Sequence, residues 1–165
     1  MLVKPLCFRN VLPLRCFSSS VPNMLKIGDI LRQTRIFSNE DVCQYSKVTC
    51  DVNPLHFDKE SARNAGFEDR LVHGMLVASL FPLIISSHFP GAVYVSQSLN
   101  FKSPVYIGEE ILGEVQAVNL RENKKRYVAK FSTKCFKNGE ILVLSGEATA
   151  ILPTLTMKLV HSELK

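Results

Sequence analysis

Hydrophobic and polar positions change their rhythm several times along the 165 residues. Ile30 to Phe37 is rich in β-branched and aromatic residues and predicts a strand. Ser38, with Asp41 three residues later, has the chemistry of a helix N-cap followed by an acid in the first turn, so a short helix is expected from Asn39 to Val48. The next segment, Thr49-Cys50-Asp51-Val52-Asn53-Pro54-Leu55-His56, cannot continue as regular helix. Pro54 has no N–H and pushes Asn53 toward an extended backbone. Asp58 can cap a further short helix running to about Ala65 and stopped by Gly66.

From Met75 to Ile85 the side chains are apolar on every face apart from Ser79. A helix that is hydrophobic all round is either buried or membrane-spanning. This run is too short to span a bilayer and contains Pro82. A buried central helix over His73–Phe89 is therefore expected, kinked or ended near Pro82. Beyond it come four strand-length runs, Val93–Phe101, Ile111–Arg121, Arg126–Phe136 and Ile141–Leu152. Pro104 and Gly108 separate the first two, and Glu122-Asn123-Lys124-Lys125 and Lys137-Asn138-Gly139 supply turns, the Asn-Gly pair being the stronger hairpin signal. One buried helix followed by long antiparallel strands predicts an α+β domain in which the sheet wraps around the helix.

Composition adds little to this picture, but charge adds something. The formal charge is +5, yet residues 1–20 hold Lys4, Arg9 and Arg15 and no acid, leaving 17 basic against 15 acidic residues in the rest. A body so nearly balanced lacks the basic stripe of a nucleic-acid protein. The densest basic run, Lys124-Lys125-Arg126, falls at an expected hairpin tip. It reads as a solvated loop or as a landing pad for an acidic carrier. The five cysteines, Cys7, Cys16, Cys43, Cys50 and Cys135, show no CxxC spacing, and three fall in the body, so neither a disulfide framework nor a zinc site is indicated. Residues 1–23 mix basic with apolar residues, lack acids and include Ser18-Ser19-Ser20, the pattern of a mitochondrial transit peptide. A secretory signal would need an apolar core that Arg9, Asn10, Pro13 and Arg15 interrupt. The expected organisation is a leader over 1–23, removed near residues 18–24, and one domain over 24–165.

The candidate chemistry sits in the non-helical loop and at the start of the apolar helix. Asp51 and His56 are close in sequence across the Asn53-Pro54 bend, so both side chains could face one cavity. A carboxylate and an imidazole sharing one water form a general acid–base pair near neutral pH. Asp51 and Asn53 could equally be making turn hydrogen bonds, and His56 could be an exposed loop residue. Gly74 opens the helix, and its N–H is one of the unpaired donors there, able to hold an oxygen on which charge develops. His73 reads as a hydrogen-bonded structural histidine beside that helix start rather than as a catalyst.

The stretch Tyr45-Ser-Lys-Val-Thr-Cys-Asp-Val-Asn-Pro-Leu-His56, followed by Val72-His-Gly-Met-Leu-Val-Ala-Ser79 and Gln97-Ser-Leu-Asn-Phe-Lys-Ser-Pro-Val-Tyr-Ile-Gly108, resembles the R-specific enoyl-thioester hydratases, the MaoC-like branch of the hotdog superfamily. The resemblance covers roughly residues 27–152. It implies a hotdog fold, with Asp51 and His56 as the catalytic pair, Asn53 ordering the active-site loop and Gly74 as backbone donor to the thioester carbonyl. It implies reversible removal of water from a (3R)-3-hydroxyacyl thioester, without metal or redox cofactor. With the leader, it implies fatty-acid synthesis on acyl carrier protein in the mitochondrial matrix, coenzyme A thioesters being the rival substrates. A homodimer is implied too. The acyl chain is expected along the central helix, in a tunnel lined by Met75, Leu76 and the facing sheet. Two positions depart from the family pattern: Cys50 stands where a glycine commonly precedes the catalytic Asp, and Pro82 where some relatives carry a polar residue.

Two other classes remain. Hotdog thioesterases often carry a carboxylate on the central helix, whereas Gly74 to Phe89 holds no Asp or Glu. A non-catalytic acyl-binding module would not need Asp51 and His56 together.

Overall fold

A computed structural model describes residues 23–158. The transit-peptide reading of residues 1–23 falls, but for Asn23, outside the described residues. β1 (Ile30–Ile36) leads into α1 (Asn39–Thr49), a single 3-10 turn (Pro54–His56) and α2 (Lys59–Asn64). Next come α3 (Gly74–Ala78) and α4 (Leu80–His88), and then β2 (Val93–Phe101), β3 (Glu110–Asn123), β4 (Arg126–Lys137) and β5 (Ile141–Leu152). The strands form one sheet in the order β1-β3-β4-β5-β2, with every pair antiparallel.

Local chemistry explains the element ends. At α1 the Ser38 hydroxyl accepts from the Asp41 N–H at 3.1 Å while the Asp41 carboxylate accepts from the Ser38 N–H at 2.8 Å, a reciprocal capping box. Burial works against the Asp41 carboxylate, but these bonds and Arg35 hold its pKa below the ordinary value. α2 is capped by Asp58, which accepts from the Ser61 N–H at 2.7 Å. The β4–β5 turn places Asn138 and Gly139 at φ 52° and 78°, the paired positive angles that favour Asn-Gly in a tight hairpin.

The apolar helix is broken, but at Ser79 rather than at Pro82. The physical reason lies in proline's reach. Its ring conflicts with the carbonyl four residues earlier, and its missing N–H is tolerated only in a first turn. Ending α3 at Ala78 and restarting at Leu80 puts Pro82 in the first turn of α4. Leu80, Phe81, Ile84 and Ile85 are buried against β1 and β3. The approach is close because β3 offers Gly113, where a Cβ would stand 3.0 Å from Ile84 Cδ1 and 3.3 Å from Leu80 Cβ. On β3 and β4, alternate residues such as Ile111, Val115, Ala129 and Phe131 point into the same core.

One polar chain runs into that core. The Tyr94 hydroxyl donates to Gln97 Oε1, and Gln97 Nε2 donates to Thr133 Oγ1 at 3.1 Å. Burial pushes the Tyr94 pKa up to about 12, so it stays a donor. Thr133 is fully buried and is satisfied by this chain. Among the described residues no helix is long and apolar enough to cross a membrane.

Candidate active site

Backbone pairing brings the loop and the helix start together. The Leu71 N–H donates to Leu55 O at 3.0 Å, and the Val72 N–H donates to Val105 O at 2.8 Å. The segment before α3 is thereby held between the 3-10 turn and the Pro104–Tyr106 loop. That loop is itself anchored by Lys137, whose Nζ donates to Pro104 O at 2.8 Å and meets the Glu109 carboxylate at 3.2 Å. His56 is half-buried rather than an exposed loop residue. Its Nδ1 lies 2.9 Å from Leu71 O. A carbonyl can only accept, so Nδ1 carries the proton, and in the neutral ring Nε2 presents a lone pair.

Asp51 makes the turn hydrogen bond with one carboxylate oxygen and leaves the other uncommitted. Oδ1 accepts from the Asn53 N–H at 3.1 Å, a turn hydrogen bond, while Oδ2 is left toward His73 at 3.8 Å. Asn53 Oδ1 accepts from the Leu55 N–H at 3.2 Å, which starts the 3-10 turn that carries His56. Ser46 donates its hydroxyl to Asp51 O at 2.6 Å and so ties α1 to the loop. Cys50, the residue before Asp51, has φ 59° and ψ 20°. That left-handed conformation is one glycine adopts without strain, which gives a physical reason for glycine at this position in the family pattern.

His73 is the surprise of the site. It is buried and stacks on the His56 ring, centroids 3.7 Å apart and planes 25° from parallel, with Tyr45 5.0 Å away. Burial first, then the neighbouring His56, hold its pKa below the ordinary 6.5, outweighing Asp51. The folded chain therefore binds fewer protons here than the unfolded one. The resulting stabilisation is complete above about pH 6.5 and is lost as pH falls through the folded-state value. The expected outcome is that the melting temperature of wild type falls relative to His73→Phe between about pH 7.5 and 5. Parallel curves for the two proteins over that range would contradict this.

Gly74 begins α3, and its N–H has no hydrogen-bond partner among the described residues. Gly74 lines a cavity of about 300 Å³ whose wall includes His56, Leu71, Val77, Phe101 and Val105. Met75 and Leu76 do not line this cavity, contrary to the sequence expectation. Gly74 and Val77 do, because residues three apart share a helix face while Met75 is turned outward and exposed. Phe101, from the end of β2, lies over Gly74 so closely that a Cβ there would be 2.5 Å from Phe101 Cε1. Sequence reasoning missed this contact, as it missed the histidine stack.

Asp51, His56 and His73 are also the group of ligating side chains closest to a metal-site arrangement among the described residues, with one ligand atom from each within 4.8 Å of the others. A tetrahedral ion bound at roughly 2.0–2.1 Å needs ligand atoms about 3.4 Å apart. The 3.8 Å between Asp51 and His73 and the stacked rings fit it poorly. His88 takes no part in the site and turns Nδ1 to Ile84 O at 2.8 Å.

Comparison with known proteins follows the same outline. Over 159 residues the chain is 66% identical to the mitochondrial 3-hydroxyacyl-[acyl-carrier-protein] dehydratase of Arabidopsis thaliana, covering 95% of this chain and 96% of that protein. It is 39% identical to the (R)-specific enoyl-CoA hydratase of Aeromonas caviae, covering 78% of this chain and 96% of the hydratase. The solved (R)-hydratase from A. caviae involved in PHA biosynthesis matches it with a TM-score of 0.73 at 38% identity, over 78% of this chain and 98% of that one. The family model of the MaoC like domain matches residues 26–135, the span that contains the loop, the helix start and most of the cavity wall, and the chain belongs to that family.

Proposed function

We propose that the chain catalyses the reversible dehydration of (3R)-3-hydroxyacyl thioesters to trans-2-enoyl thioesters, acting on acyl-carrier-protein substrates in mitochondrial fatty acid synthesis. The observation that carries this reading is that His56 and Gly74 share the wall of one apolar cavity, with the Asp51 carboxylate within 4.8 Å of a His56 ring nitrogen. Elimination must move a C2 proton and a C3 hydroxyl on one face of the substrate. Asp51 and His56 supply the acid and the base. The Gly74 N–H offsets enolate-like charge on the thioester oxygen. The apolar wall takes the acyl chain. The name of the Arabidopsis relative supports the carrier-protein substrate and the mitochondrial address, and the leader at residues 1–23 supports import into the matrix.

The A. caviae relative favours a second reading, hydration of enoyl-coenzyme A thioesters. The test is turnover by residues 24–165 on matched acyl-carrier-protein and coenzyme A thioesters, with product chirality resolved. A higher kcat/KM on the carrier-protein substrate and a (3R) product are expected. Preference for coenzyme A would favour the second reading, and free thiol without hydration would point to a thioesterase.

Gly74→Ala is expected to cost about 1–3 kcal/mol of stability through its clash with Phe101. Adding Phe101→Ala is expected to relieve that clash without restoring activity, because the new methyl group still crowds the thioester oxygen. Denaturation and kinetics on the two single variants and the double variant check both halves.

A homodimer completes this reading. β2 is an edge strand with Val93, Val95 and Phe101 exposed, an arrangement that invites pairing. Sedimentation at micromolar concentration should give twice the chain mass, and a monomer would contradict it.

A further inference from the structure

The proposed chemistry leaves one group at the site without a task. His73 is 2% exposed, and neither ring nitrogen has a hydrogen-bond partner among the described residues. Buried polar atoms are nearly always paired, so an unpaired one asks for a missing partner. Nε2 lies 3.8 Å from Asp51 Oδ2, too far for a direct hydrogen bond but close enough for one oxygen atom to contact both. The same spacing extends to His56, since one ligand atom from each of the three residues lies within 4.8 Å of the other two. Three atoms no more than 4.8 Å apart can all lie within hydrogen-bond reach of one shared oxygen.

Donors and acceptors also match. Asp51 Oδ1 is committed to the Asn53 N–H, which leaves Oδ2 as an acceptor. His56 Nδ1 is committed to Leu71 O, which leaves Nε2 as a second acceptor. A neutral His73 can supply one N–H. A water has two hydrogens and two lone pairs. Its hydrogens go to Asp51 and His56, one lone pair accepts from His73, and the other faces the carbon.

We propose that His73 is the third group holding the reacting oxygen, donating its Nε2–H to the attacking water in hydration and to the departing hydroxyl in dehydration. This rests on the hydratase reading of the site. In dehydration the C3–O bond breaks and the C2 proton passes to the acid–base pair. The departing oxygen takes a proton from that pair and leaves as water. His73 neither gains nor loses a proton, and its N–H offsets the negative charge that builds on the leaving oxygen. The stack on His56 fixes the plane of the ring and so the direction of that N–H.

The test compares His73→Phe, which keeps the stack and loses the N–H, with His73→Gln, whose amide can place an N–H near the same point. His73→Phe should lower kcat about 100-fold in both directions, the scale of one lost oriented donor. KM should stay within about threefold, since the contact strengthens in the transition state. His73→Gln should recover at least about tenfold of the loss. His73→Phe at the wild-type rate, or His73→Gln no faster than His73→Phe, overturns the proposal.

A second arm needs no turnover and no variant. Nitrogen-15 NMR of histidine-labelled wild type should find the His73 proton on Nε2 between about pH 6 and 8. A ring with Nε2 unprotonated overturns the proposal even if the protein never turns over. Wild type that converts neither thioester, with that tautomer in place, overturns the hydratase reading itself and the proposal with it.

Discussion

Asp51→Asn and His56→Ala should each lower kcat for hydration of a trans-2-enoyl thioester by about 10²–10⁴-fold, the contribution of a positioned general acid or base. Neither change should unfold the protein. The Asp51 side chain is 47% exposed, and Asn keeps an oxygen able to accept from the Asn53 N–H. His56→Ala gives up one hydrogen bond to Leu71 O, a loss of about 1 kcal/mol, and the His73 stack. The double variant should be little slower than either single one, because groups that act as a unit are not additive. Stopped-flow absorbance of the enoyl chromophore, beside thermal melts of the same samples, checks this. Near-normal turnover in either folded single variant would remove the pair from the mechanism.

The largest expected effect on stability comes from a glycine in the sheet, two residues beyond Leu144 of the cavity wall. At Gly146 on β5 a Cβ would stand 1.9 Å from Ser98 O and 2.8 Å from Ser98 C. Both are backbone atoms of β2, so no side-chain rotation relieves the clash. The ladder is already unusual there: the Glu147 N–H donates to Ser98 Oγ at 3.0 Å, and Gln97 Nε2 donates to Ser98 O at 2.6 Å. Gly146→Ala must push β2 away from β5 and pull Gln97 from Thr133. Overpacking costs about 1–3 kcal/mol where side chains can give way, and more is expected here. Against a typical total of about 5–15 kcal/mol, that is enough to leave little folded protein at 37 °C. Urea denaturation measures the loss, and a midpoint unchanged from wild type would mean that the two strands separate freely at this point.

The legible parts of the structure were those governed by short-range rules. The Ser38 cap, the Gly66 stop, the Asn138-Gly139 turn and all five strands follow from neighbours within a few residues, and the structure places them to within about two residues. The loop holding Asp51, Asn53 and His56 was legible for the same reason, since Pro54 keeps this stretch from being regular helix, although α1 already ends at Thr49. What escaped was contact across the fold. Nothing local announces that His73 will lie flat on His56, that Phe101 will cover Gly74, or that Gln97 will reach Thr133. Each pair is joined by sheet register or by the Leu71 pairing rather than by sequence spacing. The helix break fell at Ser79 because proline acts on the carbonyl behind it, a displacement that the position of Pro82 alone does not reveal.

The order of strands in the sheet predicts an order in time. The centre, β3-β4-β5, is a meander closed by two tight turns, whereas β1 reaches it only by pairing Ile30 with Gln116, and β2 by pairing Phe101 with Leu144. Everything chemical, from Asp51 to Gly74, lies in the stretch between those two edge strands. Long closures carry their entropy cost before their contacts repay it, so local hairpins form ahead of them. On a chain made from the N-terminus, the segment with the proposed site residues leaves the ribosome before any part of the meander that will fix it. It is made early and settled late, and a folding intermediate with a complete centre would have a sheet but no active site.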